Sequence, residues 1–184
     1  MNIFNKVLVK KPKMSKFDLS HERKFSAKMS MLTPVLVQEI IPGDSWKLNT
    51  EMLIRLAPMK FPVMHRLNAY IHYFFVPNRL VWDEWEPFIT GGKDGLEAPV
   101  FPHDTMGTEN VYRSVGSIWD YFGLPTGYAN NSDSEQINVL PFRAYQLIYN
   151  EYYRDQNLED EIPIYKTSGL IATPERQTIY TNRS

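Results

Sequence analysis

The sequence contains no cysteine. Disulfides, zinc–thiolate centres and a cysteine nucleophile are therefore excluded, and nothing marks an oxidising compartment. No apolar run approaches the roughly 20 residues of a membrane-spanning helix. The first residues carry charge without an apolar h-region, so they do not read as a signal peptide. Glycine is scarce, nine residues against thirteen prolines. There is no GxGxxG, GxSxG or HExxH pattern, and Gly91-Gly92-Lys93 lacks the spacing of a Walker loop. Net charge is also nearly absent, −1 overall, which excludes a uniformly basic nucleic-acid coat.

The small total hides an uneven distribution. Residues 1–28 hold eight Lys and Arg against Asp18 and Glu22, a balance of +6, and the remainder carries −7. Residues 1–28 read as a basic, extended arm ordered by partners, with Phe17, Leu19 and Phe25 as apolar pegs. Residues 29–184 read as the body. Several prolines there (Pro34, Pro42, Pro58, Pro62, Pro77) border strand-like runs, because proline has no N–H for a ladder.

From Thr33 the apolar pattern has period two. Val35, Val37 and Ile41 share one face of a first strand, and Pro42-Gly43-Asp44 is a turn signal. A second strand over 45–56 places Leu48, Met52, Ile54 and Leu56 on one side. A third, 67–76, is apolar on both faces, with Leu67, Ala69, Ile71, Tyr73 and Phe75 opposite Tyr70, Phe74 and Val76. After Pro77 the spacing becomes helical through Ile89, with Pro87 expected to bend or break the helix and Gly91-Gly92 to end it. Residues 93–113 read as loop. A short helix follows, capped by Ser117 and Asp120 in the manner of a capping box. Residues 126–138 read as polar loop, 141–155 as the clearest helix, with Phe142, Tyr145, Tyr149 and Tyr152 in one stripe. Residues 156–184 read as irregular.

Few groups suggest chemistry. His65 and His72 are seven apart, so one strand would put them on opposite faces, and no metal site is expected. Asp83, Glu84 and Glu86 beside Trp82 and Trp85 suggest a sugar-hydrolase cleft, but they crowd one segment, whereas that chemistry needs carboxylates facing across a gap. No catalytic residue, cofactor or metal is assigned. The lysines of the arm suit contact with phosphates, or simply a solvated tail.

The stretch PMKFPVMHRLNAYIHYFFVPNRLVWDEWEPFITGG at 58–92 closely resembles the major capsid protein of microviruses, particularly the gokushovirus-like group. Its core, HYFFVPNRLVWDEW, is specific because rare aromatics recur in fixed order. FDLSHERKFS at 17–26 and LPFRAYQLIYNEYYRDQNL at 140–158 resemble the same family, the first its N-terminal segment and the second a helical insertion. The resemblance implies a mainly β fold, a viral jelly-roll sandwich with helical and loop insertions around 78–158. It implies the N-terminal portion of that fold, incomplete in this chain, since three strands cannot close a sandwich. It also implies a structural subunit, not an enzyme, of an icosahedral shell around circular single-stranded DNA. Such a subunit is virion-located, assembled in the host bacterial cytoplasm, and has no membrane partner. Its partners would be other copies of itself, single-stranded DNA and other virion proteins. On this reading Lys6, Lys10, Lys11, Lys13 and Lys16 face DNA or the inner surface, and Phe17, Phe25, Phe74, Trp82 and Trp85 pack subunits together. The competing readings are a carbohydrate- or receptor-binding β-module of a phage particle using Trp82, Trp85 and Trp119, favoured if those rings are exposed, and a glycosidase using Glu84 and Glu86.

Overall fold

A computed structural model describes residues 10, 13–105, 112–126 and 136–183. Its organised part lies between residues 78 and 183, where a short helical turn, four α-helices and one two-stranded sheet surround two aromatic clusters.

After the 3₁₀ turn Asn78–Leu80, helix α1 spans Trp85–Thr90. Pro87 does not break it. It is the third residue of the helix, where the backbone N–H would have had no partner within the helix. Gly91 ends α1 at φ 79°, donating its N–H to the Pro87 carbonyl at 2.7 Å. Val81 and Trp82 thus precede α1 instead of lying on it.

Helix α2, Ile118–Tyr121, is capped by Ser117, whose hydroxyl accepts from the Asp120 N–H at 3.4 Å. The reciprocal contact differs from the expected box: the Asp120 carboxylate accepts from Gly116 N–H at 2.8 Å, one residue earlier. Helix α3, Leu140–Ile148, begins with Pro141 in its first turn, and the Asn138 side chain accepts from Leu140 N–H. It runs directly into a π-helical turn, Tyr149–Tyr153. This turn explains why the expected aromatic stripe fails at its end. Phe142, Tyr145 and Tyr149 are buried, but the wider turn rotates Tyr152 out to 70% exposure.

Helix α4, Thr173–Ile179, forms in a stretch expected to be irregular. Only Ile179 marks an apolar face within it, so periodicity gives no signal; its other buried residue is Glu175. Proline early in the helix and Glu175 in the first turn are the local cues.

The sheet also departs from expectation. Its strands, β1 (His103–Thr105) and β2 (Gln136–Asn138), fall at or within the stretches read as loops, and pair antiparallel with Asp104 opposite Ile137. A parallel bridge from His103 to Leu170 extends it. Meanwhile the three expected strands at 33–41, 45–56 and 67–76 form no ladder. The turn between the first two is present, with Gly43 at φ 93° and Asp44 N–H donating to the Ile41 carbonyl. Period two survives in 67–76: the rings of Tyr70, His72 and Phe74 follow one another at 6.3 Å on one side. What these segments lack is a partner strand for their backbone groups.

The larger core joins Ile118, Trp119, Val139, Phe142, Tyr145, Ile171, Ile179 and Tyr180. Phe142 lies edge-on to Tyr180 at 5.0 Å, and Trp119 meets both rings. The smaller joins Val81, Trp82 and Leu140, with Val76, Trp85, Phe101 and Leu147 against them.

Candidate assembly surface

A buried ionic frame holds the helices in place. Arg143, fully buried on α3, donates from Nε to the Glu175 carboxylate of α4 at 2.7 Å, from Nη1 to the Val81 carbonyl at 3.2 Å, and from Nη2 to the Thr167 carbonyl at 3.0 Å. It ties α3, α4 and both sides of the Trp82 cluster to one guanidinium. Burial pushes the Glu175 carboxyl above its usual range, while Arg143 pulls it back. A second pair lies alongside: Asp104 of β1 accepts from Arg176 at 2.7 Å and from the Tyr180 hydroxyl at 2.7 Å. Burial, with the Asp104 charge beside it, raises the Tyr180 hydroxyl strongly. Burial also pushes Tyr145 up to about 12. Sequence reading missed this frame. A charged residue inside an aromatic helical stripe, as Arg143 is between Phe142 and Tyr145, was the available signal.

Outside the frame, the extended segments between residues 45 and 76 carry many exposed apolar side chains, on both sides of the backbone. Leu48, Met52, Leu53, Ile54, Phe61, Met64 and Phe75 are between 50% and 89% exposed. One hydrogen bond, Tyr73 hydroxyl to Thr50 at 2.6 Å, links the second and third extended segments. In the third, Phe74 packs on Tyr152 at 4.9 Å, and His72 stacks on Tyr153 and bonds its hydroxyl. Exposed apolar side chains in this number are a liability in water unless other protein covers them. Residues 1–184 expressed alone are expected to aggregate or fold poorly, since the extended segments offer unpaired backbone beside exposed apolar side chains. A soluble monomer that melts cooperatively would show that these side chains need no partner.

The residues singled out from sequence fall into distinct settings. Lys6 and Lys11 lie outside the described residues. Lys10, Lys13 and Lys16 are exposed, as is Phe17. Phe25 is partly exposed with its ring against Tyr121 of α2. Phe74 is partly exposed. Trp82 is wholly buried inside the chain and Trp85 is half-buried. Phe17, Phe25 and Phe74 thus carry exposed surface, whereas Trp82 carries none. Trp119 is buried as well, so the three tryptophans form no exposed sugar platform. Glu84 accepts a hydrogen bond from Ser168, while Glu86 lies in a shallow hollow with Lys93 and Glu97. The two expected carboxylates thus do not face each other across a cleft. His65 and His72 belong to no metal-binding cluster among the described residues.

The structure thus combines a small helical body with extended segments whose apolar side chains are exposed. The phage capsid protein (F protein) family matches residues 6–182. Capsid protein VP1 of Chlamydia phage 1 is 41% identical over 170 residues, covering 89% of this chain and 28% of that protein. Capsid protein VP1 of Bdellovibrio phage phiMH2K is 44% identical over 161 residues, covering 84% and 28%. Capsid protein VP1 of Spiroplasma virus 4 is 28% identical over 150 residues, covering 80% and 26%. The chain belongs to the phage capsid protein (F protein) family, the microvirus capsid proteins that its aromatic core at 58–92 resembles. It spans just over a quarter of the length of these relatives.

Proposed function

We propose that this chain is the N-terminal portion of a structural subunit of an icosahedral microvirus shell enclosing circular single-stranded DNA, assembled in the host bacterial cytoplasm from copies of itself and other virion proteins. The observation that carries the reading is the uncovered period-two region at 33–76 inside a chain that matches the capsid family from residue 6 to 182. These segments have the side-chain pattern of jelly-roll strands and lack only their neighbours. In a subunit of the relatives' length, the remaining residues supply the missing strands, and the sandwich closes over the exposed apolar side chains. The body at 78–183 is then an insertion between strands. Burial of Trp82 and Trp119 favours this over a sugar-binding module, which needs rings in solvent. The deciding experiment is electron imaging of the complete subunit expressed in a bacterial host: round shells of uniform diameter are expected, and a soluble monomer that binds glycans without assembling would overturn the proposal.

The arm at 1–28 is the segment suited to the inner surface. Lysine is a flexible point charge that meets a phosphate backbone without reading bases. Replacing Lys10, Lys11 and Lys13 with Gln is expected to leave empty shells intact and to lower DNA packaging. The salt dependence of DNA retention should flatten by a log–log slope of roughly 0.7 per lost contact. Normal packaging with unchanged salt dependence would remove DNA from the arm's role, and loss of shells altogether would assign the arm to lacing subunits.

A further inference from the structure

Among the described residues of the arm, three make side-chain or ring contacts with the body. The Arg23 guanidinium donates through Nη1 to the Val35 carbonyl and through Nη2 to the Tyr121 carbonyl at the end of α2. It also lies 5.9 Å from the centroid of the Phe25 ring. Phe25 in turn stands edge-on to the Tyr121 ring, 6.1 Å away at 76°. The Tyr121 hydroxyl then donates to the Ser26 carbonyl at 2.9 Å. Tyr121 is itself buried, so it is held at its carbonyl, its ring and its hydroxyl by this short stretch. Residues 13–22 differ sharply. All are exposed, and their side-chain hydrogen bonds, Ser20 to Asp18 and His21 to Leu19, are local.

We propose that Arg23, Phe25 and Ser26 form a clip on Tyr121 that fixes the point where the lysine arm leaves the body. Arginine suits this because its planar fork reaches two carbonyls at once, whereas an ammonium is a single point of charge. The consequence is reach. With the clip closed, Lys16 lies within roughly 25 Å of its anchor and Lys10 within roughly 45 Å, at about 3.5 Å per extended residue. The next anchor along the chain is Leu32, whose carbonyl accepts from Tyr145 and whose N–H bonds the Arg183 carbonyl. Opening the clip would shift the tether to Leu32, lengthen the reach by roughly 30 Å and dilute Lys16 at its target by about threefold. The clip itself stands on geometry; what the arm meets rests on the shell-subunit reading.

Limited trypsin digestion of the complete, unassembled subunit, read by mass, tests it. In the unaltered protein, cleavage after Lys13 and Lys16 is expected to be fast and cleavage after Lys24 and Lys28 slow. Arg23→Ala, which removes both hydrogen bonds, should speed cleavage after Lys24 and Lys28 by at least roughly tenfold, what the loss of one charge-assisted hydrogen bond alone allows. Arg23→Lys should fall between, and Phe25→Ala should open the same sites while keeping the guanidinium. Near-ultraviolet circular dichroism from the buried tryptophans reports whether each body stays folded, and if Arg23→Ala loses that signal, Phe25→Ala decides. The clip is overturned if the unaltered protein is cut after Lys24 and Lys28 as fast as after Lys16, or if folded variants leave those rates unchanged. Failure of the unaltered subunit to form shells would count against the shell reading and leave the cleavage pattern untouched.

Discussion

Trp82→Ala is expected to destabilise the complete subunit by about 3–5 kcal/mol, the range for truncating a large buried aromatic. The side chain has no exposed surface and fills the cluster with Val81 and Leu140, against Phe101 and Leu147. Trp85 and Phe88 approach its ring at 6.0 and 5.0 Å. Its indole N–H donates to the Ser168 hydroxyl at 2.7 Å, and that hydroxyl donates onward to Glu84. Truncation therefore leaves a cavity and removes the donor that orients Ser168. Trp85→Ala should cost less, because part of its ring already faces solvent. Chemical denaturation of the unassembled subunit measures both. A Trp82→Ala cost below about 1 kcal/mol would mean that the cluster collapses around the gap or is loosely packed.

Arg143→Ala is expected to be comparably severe, about 3–5 kcal/mol, because removing one partner of a buried pair leaves the other uncompensated. Three acceptors lose their donor together: the Glu175 carboxylate and the carbonyls of Val81 and Thr167. Glu175→Gln also takes the counter-charge from the buried guanidinium but should be milder, since the amide oxygen can still accept from Nε and the Val81 and Thr167 carbonyls keep their donor. With Arg143 gone, nothing offsets burial at Glu175, so its carboxyl should take up a proton more readily. The Arg143→Ala variant should then lose stability as pH rises through the raised Glu175 value and recover on acidification. Denaturation midpoints across a pH series check this. Equal losses at every pH would mean that water enters and solvates the stranded carboxylate.

The aromatic core at 58–92, the Ser117 cap, the proline-initiated start of α3 and the glycine end of α1 were all legible from sequence. Each is a local matter: rare residues in fixed order, a hydroxyl three residues before an N–H, a ring that pre-sets φ, a residue that tolerates positive φ. The π turn that rotates Tyr152 outward was not legible, because one extra residue per turn leaves no mark in the apolar spacing. Helix α4 was missed because its buried Glu175 is accommodated by Arg143, a residue 32 positions earlier.

The sequence by itself determined that the chain is a capsid-family piece with a basic leading segment and a period-two region, for those properties reside in residue order and side-chain alternation. Tertiary structure alone decided where order forms. Period-two sequence becomes a sheet only when a second strand takes up its N–H and C=O groups, and residues 33–76 have no such neighbour among the described residues. The short strands His103–Thr105 and Gln136–Asn138, weak in propensity, do pair, because Asp104 is anchored to Arg176 and Tyr180 and the aromatic core beneath holds the two backbones side by side.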